Sequence, residues 1–349
     1  MVKILEYQKG LIDVYNGYAC TTSFCVKNDE AKKWFIQNYI NYITRYNSKN
    51  EYVFLDYFYS DFTYNSAINF FQPENIVNLP YVCYSAPSSE VDNIINFIHE
   101  KINTGFYICL FVNLKYLDAY CQKDDLVHDI FIYGYDDERQ IIYSTGYTNG
   151  KKYSSLIHSY DEICLAYKNV TVDSPEHRWF DTKRISFFKP RENFVYDFNT
   201  LDFTEKLKEY LNIEVAYQKN KRLLCPNSDR NDEKVVYGIE SIKVLIHFFE
   251  NITKSNQIDL RQLYFFFNHK VNMRYKIRYL LDNGYLDDSY LLDEYDKIVD
   301  FAQRCLNISI KYKMEQNNIC LKKIVFYLKQ IYEQECCVLK KLIKTIKNE

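Results

Sequence analysis

The apolar pattern of the chain changes near residue 200, and that change limits what it can fold into more than any other feature. Before it, short aromatic and β-branched runs alternate with helical faces; after it, the apolar residues recur at helical spacing, with Lys/Glu on the other side. Five of the six prolines lie in the first part, Pro226 being the exception. The pattern predicts an α+β domain over residues 1–197 and an α-helical domain over 198–349. In the first part a helix is expected over Asp29 to Tyr46, with Trp34, Phe35, Tyr39, Ile40, Ile43 and Tyr46 on one face. A strand is expected over Glu51 to Tyr59, and a helix opening at Ser88-Ser89-Glu90 and ending before Gly105. Further strands are expected over Phe106 to Leu114, Val127 to Tyr135, Gln140 to Thr145, Lys151 to Ile157 and Arg184 to Phe188, the fourth following an Asn149-Gly150 turn. Ser159 is expected to cap a short helix reaching Tyr167. In the second part helices are expected over Leu201 to Leu211, Val235 to Phe249, Leu260 to Leu281, Tyr290 to Leu306 and Asn318 to Ile346. Cys225 to Glu233 reads as a loop.

Composition removes several function classes. Apolar residues make up 47% of the 349 and charged residues 26%, which excludes a wholly disordered chain. The longest apolar runs, such as Phe106 to Leu114, fall well short of the roughly 20 residues that span a bilayer. Met1 to Lys9 carries an acidic residue and no long apolar stretch, so a secretory signal is not expected. A net charge of −2 with no basic stripe argues against nucleic acid as partner. The 35 tyrosines stand beside only 24 phenylalanines, and they read as core filler with a polar tip. Eleven cysteines, an odd number with no C-x-x-C pair, predict reduced thiols and a cytoplasmic location rather than disulfides or a zinc ribbon. No G-x-G-x-x-G or Walker A sequence is present, and the six histidines show no metal-ligand spacing.

Cys20 and His128 are the pair best suited to chemistry. Cys20 follows Asn16-Gly17-Tyr18-Ala19, and a helical turn beginning at Cys20 would lower the thiol pKa and offer N–H groups to an oxyanion. His128 opens the strand His128 to Asp136, at a rim where an imidazole can face a helix-borne thiol. A Cys–His pair performs nucleophilic acyl transfer. A buried cysteine that merely packs is the competing reading for any one of the eleven.

The run Gly17-Tyr18-Ala19-Cys20-Thr21-Thr22 resembles the G-x-H-C-x-T-T start of the butirosin-type acyltransferase family. Gly105 to Tyr167, and above all His128-Asp129-Ile130-Phe131-Ile132-Tyr133-Gly134-Tyr135-Asp136, extends the likeness over about residues 10–190. The His128 to Asp136 segment looks especially like members found in peptide and polythioamide natural-product clusters, including the closthioamide type. The resemblance implies a papain-like amino domain with an antiparallel sheet, similar to bacteriocin-leader peptidases, followed by a helical domain. It also implies an enzyme that takes an acyl group from an acyl or peptidyl carrier protein onto Cys20 and passes it to a small amine, forming an amide. His128 would be general base and acid, with the Cys20 N–H at the oxyanion. No resident cofactor is implied, because the phosphopantetheine arrives on the carrier.

The chain departs from that pattern in two places. Ala19 stands where the family usually has His, and no carboxylate follows the His strand at Tyr143 to Tyr147. Asn149 is the nearest residue for holding the imidazole, although the Asn149-Gly150 hairpin turn explains it better; Asn113 is a weaker choice. Asp129 is set aside because a regular strand points it away from His128. Cys25 is the rival nucleophile. A peptidase or amidase on the same scaffold and a decayed, non-catalytic binding protein are the alternative functions. The helical domain is left to cover the cleft, to form a homodimer, or both.

Overall fold

The structure, a computed structural model, describes residues 1–47, 52–57, 79–148, 153–170, 183–212, 233–252 and 258–347. The chain opens with β1 (Val2–Ile4), α1 (Asn16–Ser23), α2 (Asp29–Asn38), β2 (Tyr42–Asn47) and β3 (Val53–Tyr57). It continues through β4 (Tyr81–Pro87), α3 (Ile94–Asn103), β5 (Tyr107–Asn113), β6 (Val127–Asp136), β7 (Ile141–Tyr147), β8 (Tyr153–Ser159), α4 (Tyr160–Lys168) and β9 (Arg184–Pro190). The last part holds α5 (Thr200–Leu211), β10 (Glu233–Tyr237), α6 (Ser241–Glu250), α7 (Leu260–Asp282), α8 (Tyr290–Glu315) and α9 (Asn318–Thr345). The architecture is α+β, with antiparallel sheets and helices first and a helical region, α7 to α9, at the end. No helix among the described residues is long and apolar enough to cross a membrane.

Two compact units divide the chain, Met1–Lys32 with Ala67–Val195 and Lys33–Ser66 with Tyr196–Glu349. The sequence reading, which cut once at residue 197, assigns 33–66 to the first domain; here they count with the second. The reason is visible in pairing: β2 lies between β3 and β10, in register Thr44↔Leu55 and Thr44↔Val236. The second unit therefore contains a three-stranded sheet and is not purely helical.

In the first unit all strand pairs are antiparallel, in the order β4-β9-β5-β6-β7-β8, and β1 joins the far end of β6. All seven residues of β5 are buried because both sides of the sheet are covered. On one side Ile108, Leu110 and Val112 meet Ile130 and Ile132 of β6 and the apolar faces of α3 and α4. Burying each such isoleucine is worth about 1.5–3 kcal/mol. On the other side Tyr107 stacks on Phe131 with centroids 5.5 Å apart and takes Phe24, at the end of α1, edge-on at 5.2 Å. Side-chain alternation thus assigns Ile130 and Ile132 of β6 to α3 and α4, and Asp129 and Phe131 to α1; past the register shift between Ile132 and Gly134, Tyr135 turns to the α3 side and donates to Asn103 Oδ1 at 2.8 Å.

Candidate active site

The expected helix exists but starts earlier. Tyr15 is its N-cap, extended in backbone and making no side-chain capping bond, and Asn16 is its first residue. Ala19 N–H already donates to Tyr15 O at 3.0 Å. Cys20 is therefore one turn inside α1, where the peptide N–H belongs to the helical ladder and the end dipole has faded. The Cys20 N–H does not stand free for an oxyanion, as the sequence reading had it. Thr22 anchors the helix by donating to Tyr18 O at 2.7 Å and accepting from Ile12 N–H at 3.1 Å.

Cys20 has no exposed surface. Its pKa is well above the ordinary thiol value, first because of burial and then because of the Asp129 carboxylate, with the Tyr153 hydroxyl acting the other way. The thiol donates a long bond, 3.8 Å, to Asn16 Oδ1, one helical turn back. Around it Tyr153 OH bonds Thr145 Oγ1 at 2.7 Å and receives Tyr7 OH at 3.2 Å.

His128 shares its strand side with Ile130, away from α1, and its side chain is about half exposed. Asp129 is the residue of this pair that faces α1. β6 alternates regularly only up to Ile132, where its register with β7 shifts, and setting Asp129 aside on that alternation fails: at the strand end the His128 ring turns back, with Nδ1 2.8 Å from Asp129 Oδ1 and 3.2 Å from Asp129 O. Asp129 also accepts from Asn16 Nδ2, at 2.7 Å on Oδ2 and 3.0 Å on its backbone oxygen. Burial works to raise its pKa, but the His128 charge and hydrogen bond and the Asn16 amide outweigh it, and the carboxyl stays below its usual range. Cys109 adds a thiol to the same Oδ2 at 3.8 Å. The result is a continuous chain, Cys20–Asn16–Asp129–His128, in which thiol and imidazole sit at opposite ends rather than in contact.

The remaining candidates fare differently. Asn149 lies outside the described residues. Asn113 does not hold the imidazole; its amide donates to Asp125 Oδ1 at 2.8 Å and Asn169 O at 3.1 Å, and its oxygen accepts from Lys115 and Leu126, which organises the loop before β6. Cys25 is buried in the turn after α1, its N–H on Thr22 O at 3.1 Å. Tyr120 OH is buried without a hydrogen-bond partner among the described residues, and Asp129 is near enough to add to the rise that burial causes in its pKa. Sequence reasoning missed Asn16, Tyr153 and Cys109. The i, i+4 spacing of Asn16 and Cys20 was the one legible sign. Among the described residues no three His, Cys, Asp or Glu side chains group as metal ligands.

No family model matches the chain, and no curated protein matches it.

Proposed function

We propose that the protein is a cysteine-dependent acyltransferase that forms an amide from a carrier-bound thioester and an amine, with a papain-like arrangement of its first unit. The observation that carries this reading is the unbroken chain from the Cys20 thiol to the His128 imidazole through a carboxylate. Asp129 is the carboxylate beside the imidazole that the family pattern asks for and that the stretch after the His strand lacks, with Oδ1 2.8 Å from His128 Nδ1. In the reaction the Cys20 sulfur leaves Asn16 and the half-exposed imidazole swings from the strand end to take its proton. The sulfur then attacks the thioester carbonyl. The carbon–sulfur bond to phosphopantetheine breaks, and that thiolate takes the proton from His128. The amine next attacks the acyl-cysteine. A carbon–nitrogen bond forms, the Cys20 bond breaks, and the amine proton returns to the sulfur through His128.

The test is incubation with an acyl-carrier thioester and a diamine, followed by mass spectrometry of product and protein. Amide should form, an acyl adduct should map to Cys20, and Cys20→Ala and His128→Ala should each abolish amide while leaving the circular dichroism unchanged. Undiminished amide from Cys20→Ala ends the assignment. Peptide cleavage with no amide moves the reading to a peptidase or amidase.

A second reading, a non-catalytic binding protein, is favoured by the complete burial of Cys20 and by the distance of His128 from the α1 side of the sheet. It requires that the carrier protein binds while no acyl group ever reaches Cys20.

A further inference from the structure

We propose that Asn16 is a latch on the Cys20 thiol, a positioning residue that holds the sulfur protonated and apart from His128 until substrate docks. This rests on the acyl-transfer reading of the same site. The polarity of the network carries the argument. Asp129 is an anion and can only accept hydrogen bonds, so the NH2 of Asn16 must face it. The Asn16 oxygen must then face Cys20, and an oxygen there requires a donor, the S–H. A thiolate in this position would meet an amide oxygen and, beyond it, a carboxylate, with only the Tyr153 hydroxyl acting the other way.

The amide has no proton to relay, so none passes from Cys20 to His128 along this chain. Turning the amide over would present NH2 to the sulfur, but it would break both bonds to Asp129 and set two oxygens against each other. Asn16 itself is buried, at 4% exposure, so water does not compensate either loss. Of the two groups the sulfur is the free one to move: a rotation about the Cys20 χ1 from one staggered well to another takes it off Oδ1 while Asn16 keeps its grip on Asp129. Release of the thiol therefore leaves both bonds from Asn16 to Asp129 intact. That is what separates a latch from a packing contact.

The test reads alkylation of Cys20 by iodoacetamide across pH in the full chain, with the modified residue mapped by peptide mass spectrometry. The rate follows the thiolate fraction. Asn16→Ala removes the acceptor oxygen, and the Cys20 profile should move to lower pH with a rate at pH 8 about tenfold higher. Asn16→Asp, of nearly equal shape, keeps an oxygen at the thiol and adds a negative charge, so the profile should move to higher pH with a rate about tenfold lower. Loosened packing alone would shift both variants the same way. Opposite shifts support the latch; shifts of the same sign, or none, overturn it, and Asn16→Ser replaces the alanine variant where that does not fold. Because alkylation needs no substrate, opposite shifts with no acyl adduct on Cys20 keep the latch and end the acyl-transfer reading, and an adduct without the shifts does the reverse.

Discussion

His158 illustrates how far a single buried side chain can set the acid response of the first unit. It is 1% exposed on β8, with Nε2 2.8 Å from Ser144 Oγ and no partner for Nδ1 among the described residues. Burial pushes its pKa down from 6.5 to about 4, against the pull of the Glu162 charge. The folded chain therefore resists protonation where the unfolded chain accepts it. Stability that is fully present above pH 6.5 is lost as pH falls towards 4 and is lost no further below that. By pH 4.5 the loss from this residue is about 2–3 kcal/mol. Urea unfolding at pH 7 and pH 4.5 should show a difference smaller by that amount in His158→Gln than in the parent. An equal difference in the two would mean that His158 is not the group responding.

At the scale of elements, the legible parts were those whose signals are local. Ser159 and Glu162 announce the start of α4, and they form a reciprocal pair in which Glu162 Oε2 accepts from Ser159 N–H at 2.7 Å. The run of apolar residues from 106 became β5, within a residue at each end. The errors came where long-range pairing overrides spacing. Residues 42–47 continue the helical face of α2 on paper but form β2, because β3 and β10 pair with them on both sides. The expected helix over Val235 to Phe249 is likewise split into β10 and α6. Lys and Glu at helical spacing do not by themselves reveal the pair joining α7 to α9. Lys270 Nζ lies 2.7 Å from Glu335 Oε2, and both side chains are fully buried. Tyr295 donates to Glu335 Oε1 at 2.5 Å, and Lys270 sits 4.7 Å over the Phe266 ring. Burial lowers the Lys270 pKa and Glu335 pulls it back. Removing one member strands the other charge, so Glu335→Leu should cost about 3–5 kcal/mol in urea unfolding. Lys270→Met with Glu335→Leu should recover at least half of that, since a neutral pair needs no counter-ion. A double variant as unstable as the two single losses added together would show that the pair's charges do not depend on each other.

At the scale of the whole chain, the path between the two units decides whether either can exist alone. The second unit takes its sheet from residues 42–47, 53–57 and 233–237 and most of its helices from 200 onward, with every strand of the first sheet except β1 lying between β3 and α5 in the chain. The dependence is chemical as well as topological. Lys276 of α7 is fully buried, and its Nζ donates to Phe35 O and Ile36 O at 2.8 Å each. His269, also without exposed surface, bonds Ile40 O at 2.8 Å through Nε2. A fragment cut at the boundary that the sequence suggested, 198–349, keeps both of these helical side chains and loses all three carbonyls. A buried ammonium without acceptors is far costlier than the hydrogen bonds themselves. The complementary fragment, 1–197, keeps β2 and β3 but not β10 and α7, which leaves the Tyr42 and Tyr57 side of β2 and β3 without Phe265, its aromatic partner at 5.8 and 4.7 Å. Expressed singly, 198–349 should give a broad, non-cooperative melt with exposed apolar surface that binds a reporter dye, and 1–197 should aggregate. Co-expressed, the two should associate and regain a cooperative transition. A sharp thermal transition from 198–349 alone would overturn the argument, because it would show that the α7–α9 region supplies its own partners for Lys276 and His269.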